Sequence, residues 1–289
     1  MNVSEWLYKN THSLLGKKVA VSGATGGIGR ELCVCLAKLE ATLIFVDRNI
    51  KKSLALAEEL RSRFPTLEIS HVQADMEDMG TVRAAADTLL TMKIDFLILN
   101  AGAYSIPRHK CSEGYDNVFT INYIAPYYLA RMLLPSVRQR GGRVIAVGSI
   151  AHRYSKTDEN DVDFSTRKKA SLVYGNAKRR LMVSFFDLGD GVAVTHPGIT
   201  FTNITAHYPK LIFALIKHPM KLIFMPPKKA CLCVLSGIFL DCCKGEWIGP
   251  RTFDVWGYPK VKRLTGISLE EEKRILADAE IILKNISSE

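Results

Sequence analysis

The chain has 289 residues, 47% hydrophobic and 24% charged, a balance that excludes general disorder and does not require several domains. Its 39 basic against 29 acidic residues leave a net charge of +10, carried in scattered pairs such as Lys17-Lys18, Lys51-Lys52, Arg179-Arg180 and Lys228-Lys229. Such pairs describe a solvated basic surface or attraction to an anion such as a cofactor phosphate or acidic lipid; no nucleic-acid motif accompanies them, so no nucleic-acid partner is expected. The seven cysteines show no C-x-x-C spacing and mostly sit in apolar runs, which fits reduced packing residues of a cytoplasmic protein. Residues 1–16 carry an early Glu5 and no unbroken apolar region, so no signal peptide is expected. The longest run without charge or proline in the last third, Ala230 to Leu240, is too short to span a bilayer.

In chain order, Lys18 to Ser22 (KVAVS) is a β-branched, apolar stretch ending in glycines, hence a strand. Glu31 to Glu40 reads as a helix with Leu32, Leu36 and Leu39 on one side. Leu43 to Val46 is a second strand and Lys51 to Phe64 a second helix. Leu67 to Val72, Ile94 to Leu99 and Arg143 to Val147 follow as strands separated by helical stretches, and Val192 to Thr195 and Trp247 to Val255 complete the series. This alternation implies crossover connections and a mostly parallel sheet: an α/β, doubly wound (Rossmann) fold, with residues 1–289 as a single domain.

The first strand runs into Gly23-Ala24-Thr25-Gly26-Gly27-Ile28-Gly29 and then a helix. The spacing G-x-x-x-G-x-G differs from the common dinucleotide fingerprint, but the physics is shared. Glycines admit a pyrophosphate close to the backbone, and the helix N-terminus offers free N–H groups and partial positive charge. Asp47 closes the second strand, 18 residues after Gly29, where a carboxylate accepts from the adenosine ribose. It would repel a 2′-phosphate by about 4 kcal/mol at ~4 Å and an effective dielectric of ~20. NAD is therefore favoured over NADP, although Arg48 beside it could pair with a phosphate. Asp75, followed by Met76 after the third strand, is placed to meet the adenine amino group or to cap a helix.

Tyr174 and Lys178 stand four apart, on one face if helical. A neighbouring ammonium favours the phenolate, which suits proton transfer coupled to hydride transfer. Tyr258 and Lys262 share the spacing, but Pro259 interrupts them and no cofactor strand precedes them, so that pair is read as chance. Ser149, at the end of the fifth strand, and Asn100-Ala101-Gly102, at the end of the fourth, fall where ligands collect in open parallel sheets.

With these pieces in order the chain resembles the short-chain dehydrogenases/reductases over nearly its full length. The matching residues are SGATGGIG, Asp75, Asn100-Ala101-Gly102, Asn122, Ser149, the Tyr174/Lys178 pair, and Pro197-Gly198 with Thr202. The resemblance implies Tyr174 as catalytic acid/base and Ser149 bonded to the substrate oxygen. It implies Lys178 on the nicotinamide ribose and lowering the tyrosine pKa, Asn122 anchoring a water, and Ile199 with Thr202 meeting the carboxamide. It also implies a seven-stranded sheet in the order 3-2-1-4-5-6-7. Ser149-Ile150-Ala151-His152-Arg153, the polar insertion before Tyr174 and His196-Pro197-Gly198 make it similar to the retinol-dehydrogenase-like branch.

Three departures stand out. Ser22 replaces the usual threonine, Gly175 to Lys178 lacks the serine that often precedes the lysine, and Pro197 comes only 23 positions after Tyr174. The last implies a short Tyr174 helix and, with Arg179-Arg180, a weaker or atypical dimer. The lysine-edged apolar residues of 203–227 imply a lid for a bulky apolar alcohol or ketone (sterol, retinoid or long-chain) and peripheral membrane contact. The competing reading is an NAD(P)-binding regulatory or membrane-surface scaffold without turnover. An epimerase or dehydratase using bound NAD fits the length less well.

Overall fold

The computed structural model describes residues 2–200 and 224–287. One eight-stranded sheet has the order β3-β2-β1-β4-β5-β6-β7-β8. β1 (Lys18–Ser22), β2 (Thr42–Asp47), β3 (Ile69–Gln73), β4 (Phe96–Leu99), β5 (Arg143–Val147), β6 (Val192–Thr195) and β7 (Glu246–Thr252) run parallel. β8 (Trp256–Arg263) returns antiparallel along β7. The expected seven-stranded sheet is thus one strand short. Pro259 argues against a central strand, but β8 is an edge, where a missing N–H can face away from the ladder; Pro259 lies opposite Pro250. Tyr258 and Lys262 sit on this strand, not on a helix.

All of β4, and all of β1 except Lys18, is buried, as parallel strands covered on both faces require. On one face α4 (Met79–Met92), α6 (Ala125–Gln139) and α7 (Ala170–Asp187) bury Val82, Leu89, Leu129, Leu133 and Leu181 against Leu97 and Val144. On the other, α2 (Gly27–Lys38), α3 (Ile50–Arg63) and α8 (Pro227–Phe239) bury Leu32, Leu36, Leu56, Leu60 and Leu235 against Val19, Val21 and Phe45. α1 (Val3–Asn10), closed by a capping box between Asn2 and Glu5, adds Trp6 and Leu7 to this second layer. β1 lies between β2 and β4, so the order turns there and a crevice opens at the carboxyl ends of the strands.

Two expectations about the Tyr174 helix are corrected. α7 has 18 residues; the short spacing to Pro197 falls on the connection to β6, not on the helix. Arg179 and Arg180 are buried and do not face solvent. The last helix, α9 (Leu269–Ser287), lies against α7 and pairs Glu271 with Arg179 at 2.5 Å and Asp278 with Arg180 at 2.7 Å. Thr202 and residues 203–223 of the expected lid lie outside the described residues. Among the described residues no helix is long and apolar enough to cross a membrane.

Candidate functional site

A cleft of about 700 Å³ opens at the carboxyl ends of β1, β2 and β4, walled by Gly23, Thr25, Gly27, Ile28, Gly29, Asp47, Arg48, Asp75, Met76 and Asn100-Ala101-Gly102. Every glycine-loop and adenosine-end residue singled out from the sequence is therefore brought to one wall. The loop is tightly folded: a Cβ on Gly29 would lie 2.1 Å from the Gly23 carbonyl oxygen, so no side chain fits there. Asn100 Nδ2 donates to the Ser22 and Gly23 carbonyls at 3.1 Å each, and Ser22 Oγ accepts from the Ala101 N–H at 3.0 Å. Ser22 thus supplies the hydroxyl that a threonine would. The N-cap of α2, Gly26, has no side chain bonded to the helix, and the first turn has no acidic residue. Its N–H groups and dipole are left for an anion.

At the adenosine end the side chains point differently from the simplest expectation. Asp47 is 6% exposed, and its carboxylate is turned under the loop, accepting from Thr25 Oγ1 and Ser53 Oγ at 3.3 Å each. Burial raises its pKa, with hydrogen bonds from Thr25, Ser53 and the Ala24 backbone opposing the rise. Arg48 and Lys52 are exposed on the cleft wall, and neither forms an ion pair among the described residues. Asp75 is not the helix cap; it makes an Asx turn to the Glu77 N–H at 3.1 Å, while Asp78 caps α4 through the Gly80 and Thr81 N–H groups.

The expected reaction-centre residues Ser149, Tyr174 and Lys178 come from two separate stretches. Ser149 follows β5 and caps the 3₁₀ turn Ile150–Arg153, with Oγ accepting from Ala151 N–H at 3.2 Å. Tyr174 and Lys178 lie one turn apart on α7. Lys178 Nζ stands 5.7 Å from the centre of the Tyr174 ring, donates to the Val147 carbonyl at 2.7 Å and lies 3.9 Å from where a Cβ on Gly102 would be. That contact joins the reaction centre to the cleft.

Burial pushes the Tyr174 phenol up to about 12; the Ser149 hydroxyl pulls it down and Tyr104 adds to the rise. Burial pushes Lys178 down to about 7. The expected lowering of Tyr174 by Lys178 is not what this geometry gives, because the ammonium lies over the ring and is itself desolvated.

Asn122 sits in the π turn Thr120–Ile124, which joins α5 (Asn117–Phe119) to α6. Its amide donates to the Ala103 and Val118 carbonyls at 2.8 Å each, bracing the loop after Gly102. Pro197 and Gly198 follow β6 and are buried; a Cβ on Gly198 would meet the Val255 carbonyl of the β7–β8 turn at 2.6 Å. Ile199 accepts from the Met225 N–H at 2.8 Å. Sequence reasoning missed Tyr104, whose ring meets Tyr174 edge-on at 5.3 Å, although its place just after Asn100-Ala101-Gly102 was a usable signal. It also missed Ser53 and Lys52, one helical turn into α3, for which no local pattern speaks.

The arrangement suits a dinucleotide: a helix N-terminus without a side-chain cap, a cleft of about 700 Å³ running past Asp47 and Asp75, and Lys178 bonded to the Val147 carbonyl beside Tyr174. A family model for short chain dehydrogenases matches residues 17–166. Mouse (Mus musculus) retinol dehydrogenase 12 is 27% identical over 255 residues, 82% of this chain and 81% of that protein. A crystal structure of an uncharacterized protein from Mycobacterium paratuberculosis superposes with a TM-score of 0.72 at 21% identity, covering 96% of this chain and 94% of that one. The Pseudomonas aeruginosa RhlG–NADP active-site complex superposes at 0.59 with 23% identity, over 78% and 91% of the two chains.

Proposed function

Because this chain belongs to the short-chain dehydrogenase/reductase family, and so is an oxidoreductase of CH–OH groups with a nicotinamide cofactor, we propose that Tyr174 moves the proton of its reaction. The observation that carries this reading is the meeting of Ser149, Tyr174 and Lys178 beside the cleft. The bound nicotinamide supplies or accepts the hydride. A substrate oxygen between the Ser149 and Tyr174 hydroxyls accepts a hydrogen bond from each. In reduction Tyr174 passes its proton to that oxygen while the carbon gains hydride; in oxidation it takes the proton back. A phenol near 12 holds its proton at neutral pH, which suits the donor role. Lys178 spends one N–H on Val147 and keeps at least one more for the ribose hydroxyls. Asn122 holds the Ala103 loop that faces them.

For the cofactor, the side chains favour NADP over the NAD expected from Asp47 alone. Its carboxylate is occupied by Thr25 and Ser53, while Arg48 and Lys52 are exposed cations able to meet a 2′-phosphate. The substrate is a small-molecule alcohol or carbonyl compound of apolar, bulky type. Supporting this are the apolar residues of 203–223 and the similarity to a retinol dehydrogenase. The test is kcat/KM with NADPH and NADH across a ladder of alcohol and ketone chain lengths, with sedimentation on anionic vesicles beside it. Preference for small polar substrates and no vesicle binding would remove the apolar-substrate and membrane parts. No turnover with any carbonyl compound or alcohol would remove the whole reading.

A further inference from the structure

Arg179 follows Lys178 on α7, and its side chain is 4% exposed. All three of its nitrogens donate. Nε donates to Glu271 Oε1 at 2.6 Å, and Nη2 donates to Glu271 Oε2 at 2.5 Å and to the Gly266 carbonyl at 2.6 Å. Nη1 donates to the His152 carbonyl at 3.0 Å. Glu271 Oε1 also accepts from the N–H and hydroxyl of Thr157 at 3.1 Å each. Burial raises the Glu271 carboxyl, and Arg179 and Thr157 more than offset it, so its pKa lies below the usual range. One carboxylate on α9 therefore ties together the helix of Tyr174 and both ends of the segment that follows Ser149.

The tie continues to Ser149 itself. The His152 ring meets the Ser149 carbonyl through Nδ1 at 2.7 Å, so fixing the His152 peptide fixes the turn that Ser149 caps. On its other side the turn touches α7 directly: a Cβ on Gly175 would lie 2.6 Å from the Ala151 carbonyl and 2.6 Å from Ser155 Oγ. Direct contact limits how near the turn approaches the helix, and the guanidinium limits how far it moves away.

A buried ion pair adds little net stability over a well-packed apolar pair, because desolvation offsets the attraction. What the forked pair supplies is direction, since a bidentate guanidinium presents its third edge to one place only. We propose that Glu271, acting through Arg179, is the positioning residue that sets Ser149 against Tyr174. This rests on the reading of Ser149 and Tyr174 given above.

A second pair on the same two helices provides the comparison. Arg180 meets Asp278 at 2.7 Å and Asn176 at 3.2 Å, and among the described residues it makes no bond to the Ser149 turn. The experiment compares Glu271→Gln and Arg179→Lys with Asp278→Asn in the full chain. It reads kcat, NADPH affinity by fluorescence, and the ¹³C ring signal of Tyr174 assigned with Tyr174→Phe. The first two variants lower kcat by about tenfold or more through misplacement, keep NADPH affinity within about twofold and move the Tyr174 signal. Asp278→Asn lowers the melting temperature comparably without either change. Unchanged kcat and signal in the Glu271 and Arg179 variants, or equal changes in Asp278→Asn, overturn the proposal. If a single variant fails to fold, Arg179→Met with Glu271→Leu strands no charge and carries the same readout. If the wild type turns over nothing, the Tyr174 signal alone decides the positioning, so its failure and the failure of the reaction reading stay distinct.

Discussion

Lys178 Nζ lies over the Tyr174 ring, 5.7 Å from its centre, and bonds to the backbone of β5, not to the phenol oxygen. The two groups are thus held by the same helix turn but are both desolvated, and burial drives each toward its neutral form.

Tyr174→Phe keeps the ring and removes only the proton-transfer oxygen. Turnover is expected to fall by at least about a hundredfold, the scale of general acid–base catalysis, with NADPH affinity nearly unchanged. Tyr258→Phe, on β8, leaves kcat where it was. Steady-state rates beside cofactor fluorescence check both; a Phe variant near wild-type rate removes Tyr174 from the mechanism.

Lys178→Met is expected to inactivate the enzyme yet stabilise the cofactor-free protein at low pH. Burial holds its folded pKa at about 7, against an ordinary lysine value of 10.5. Below pH 7 the folded chain carries the full cost of a buried ammonium. As pH rises from 7 to 10.5 the unfolded chain holds a proton the folded one has released, so the cost fades. The variant should melt a few degrees above wild type at pH 6, with a smaller gap at pH 9. A lower melting temperature at pH 6 contradicts this.

Removing Arg48 and Lys52 together, each to Ala, should lower kcat/KM for NADPH by about tenfold or more, as lost charge-assisted bonds do, and leave NADH nearly unaffected. Wild type preferring NADH would show that Asp47 still governs the adenosine end.

α9 covers the outer face of α7 within one chain, pairing Arg179 and Arg180. Association through that helix is expected to be weak, and light scattering at micromolar concentration should give the mass of a single chain. A tight dimer that Arg180→Ala dissociates refutes this.

Much of the site was legible because its signals are local. The glycine loop, the ends of β1, β4 and β5, and the Tyr174/Lys178 spacing follow from turn chemistry, strand patterning and helix period within a few residues. The side-chain directions were not. Asp47 sits where its position in the chain places it, but Thr25 and Ser53 turn its carboxylate inward. Nothing in the 42–47 stretch encodes that.

By itself the sequence determined the α/β alternation, the strands from β1 to β7 and the glycine loop, and it singled out the proposed trio Ser149, Tyr174 and Lys178, because each depends on neighbours along the chain. Tertiary structure alone decided the rest. β8 exists because an edge tolerates Pro259. Lys178 loses its charge preference because α7 buries it against β5. Glu271 finds Arg179 across 92 residues of chain, and no local period reports a partner whose place is set only when α9 packs on α7.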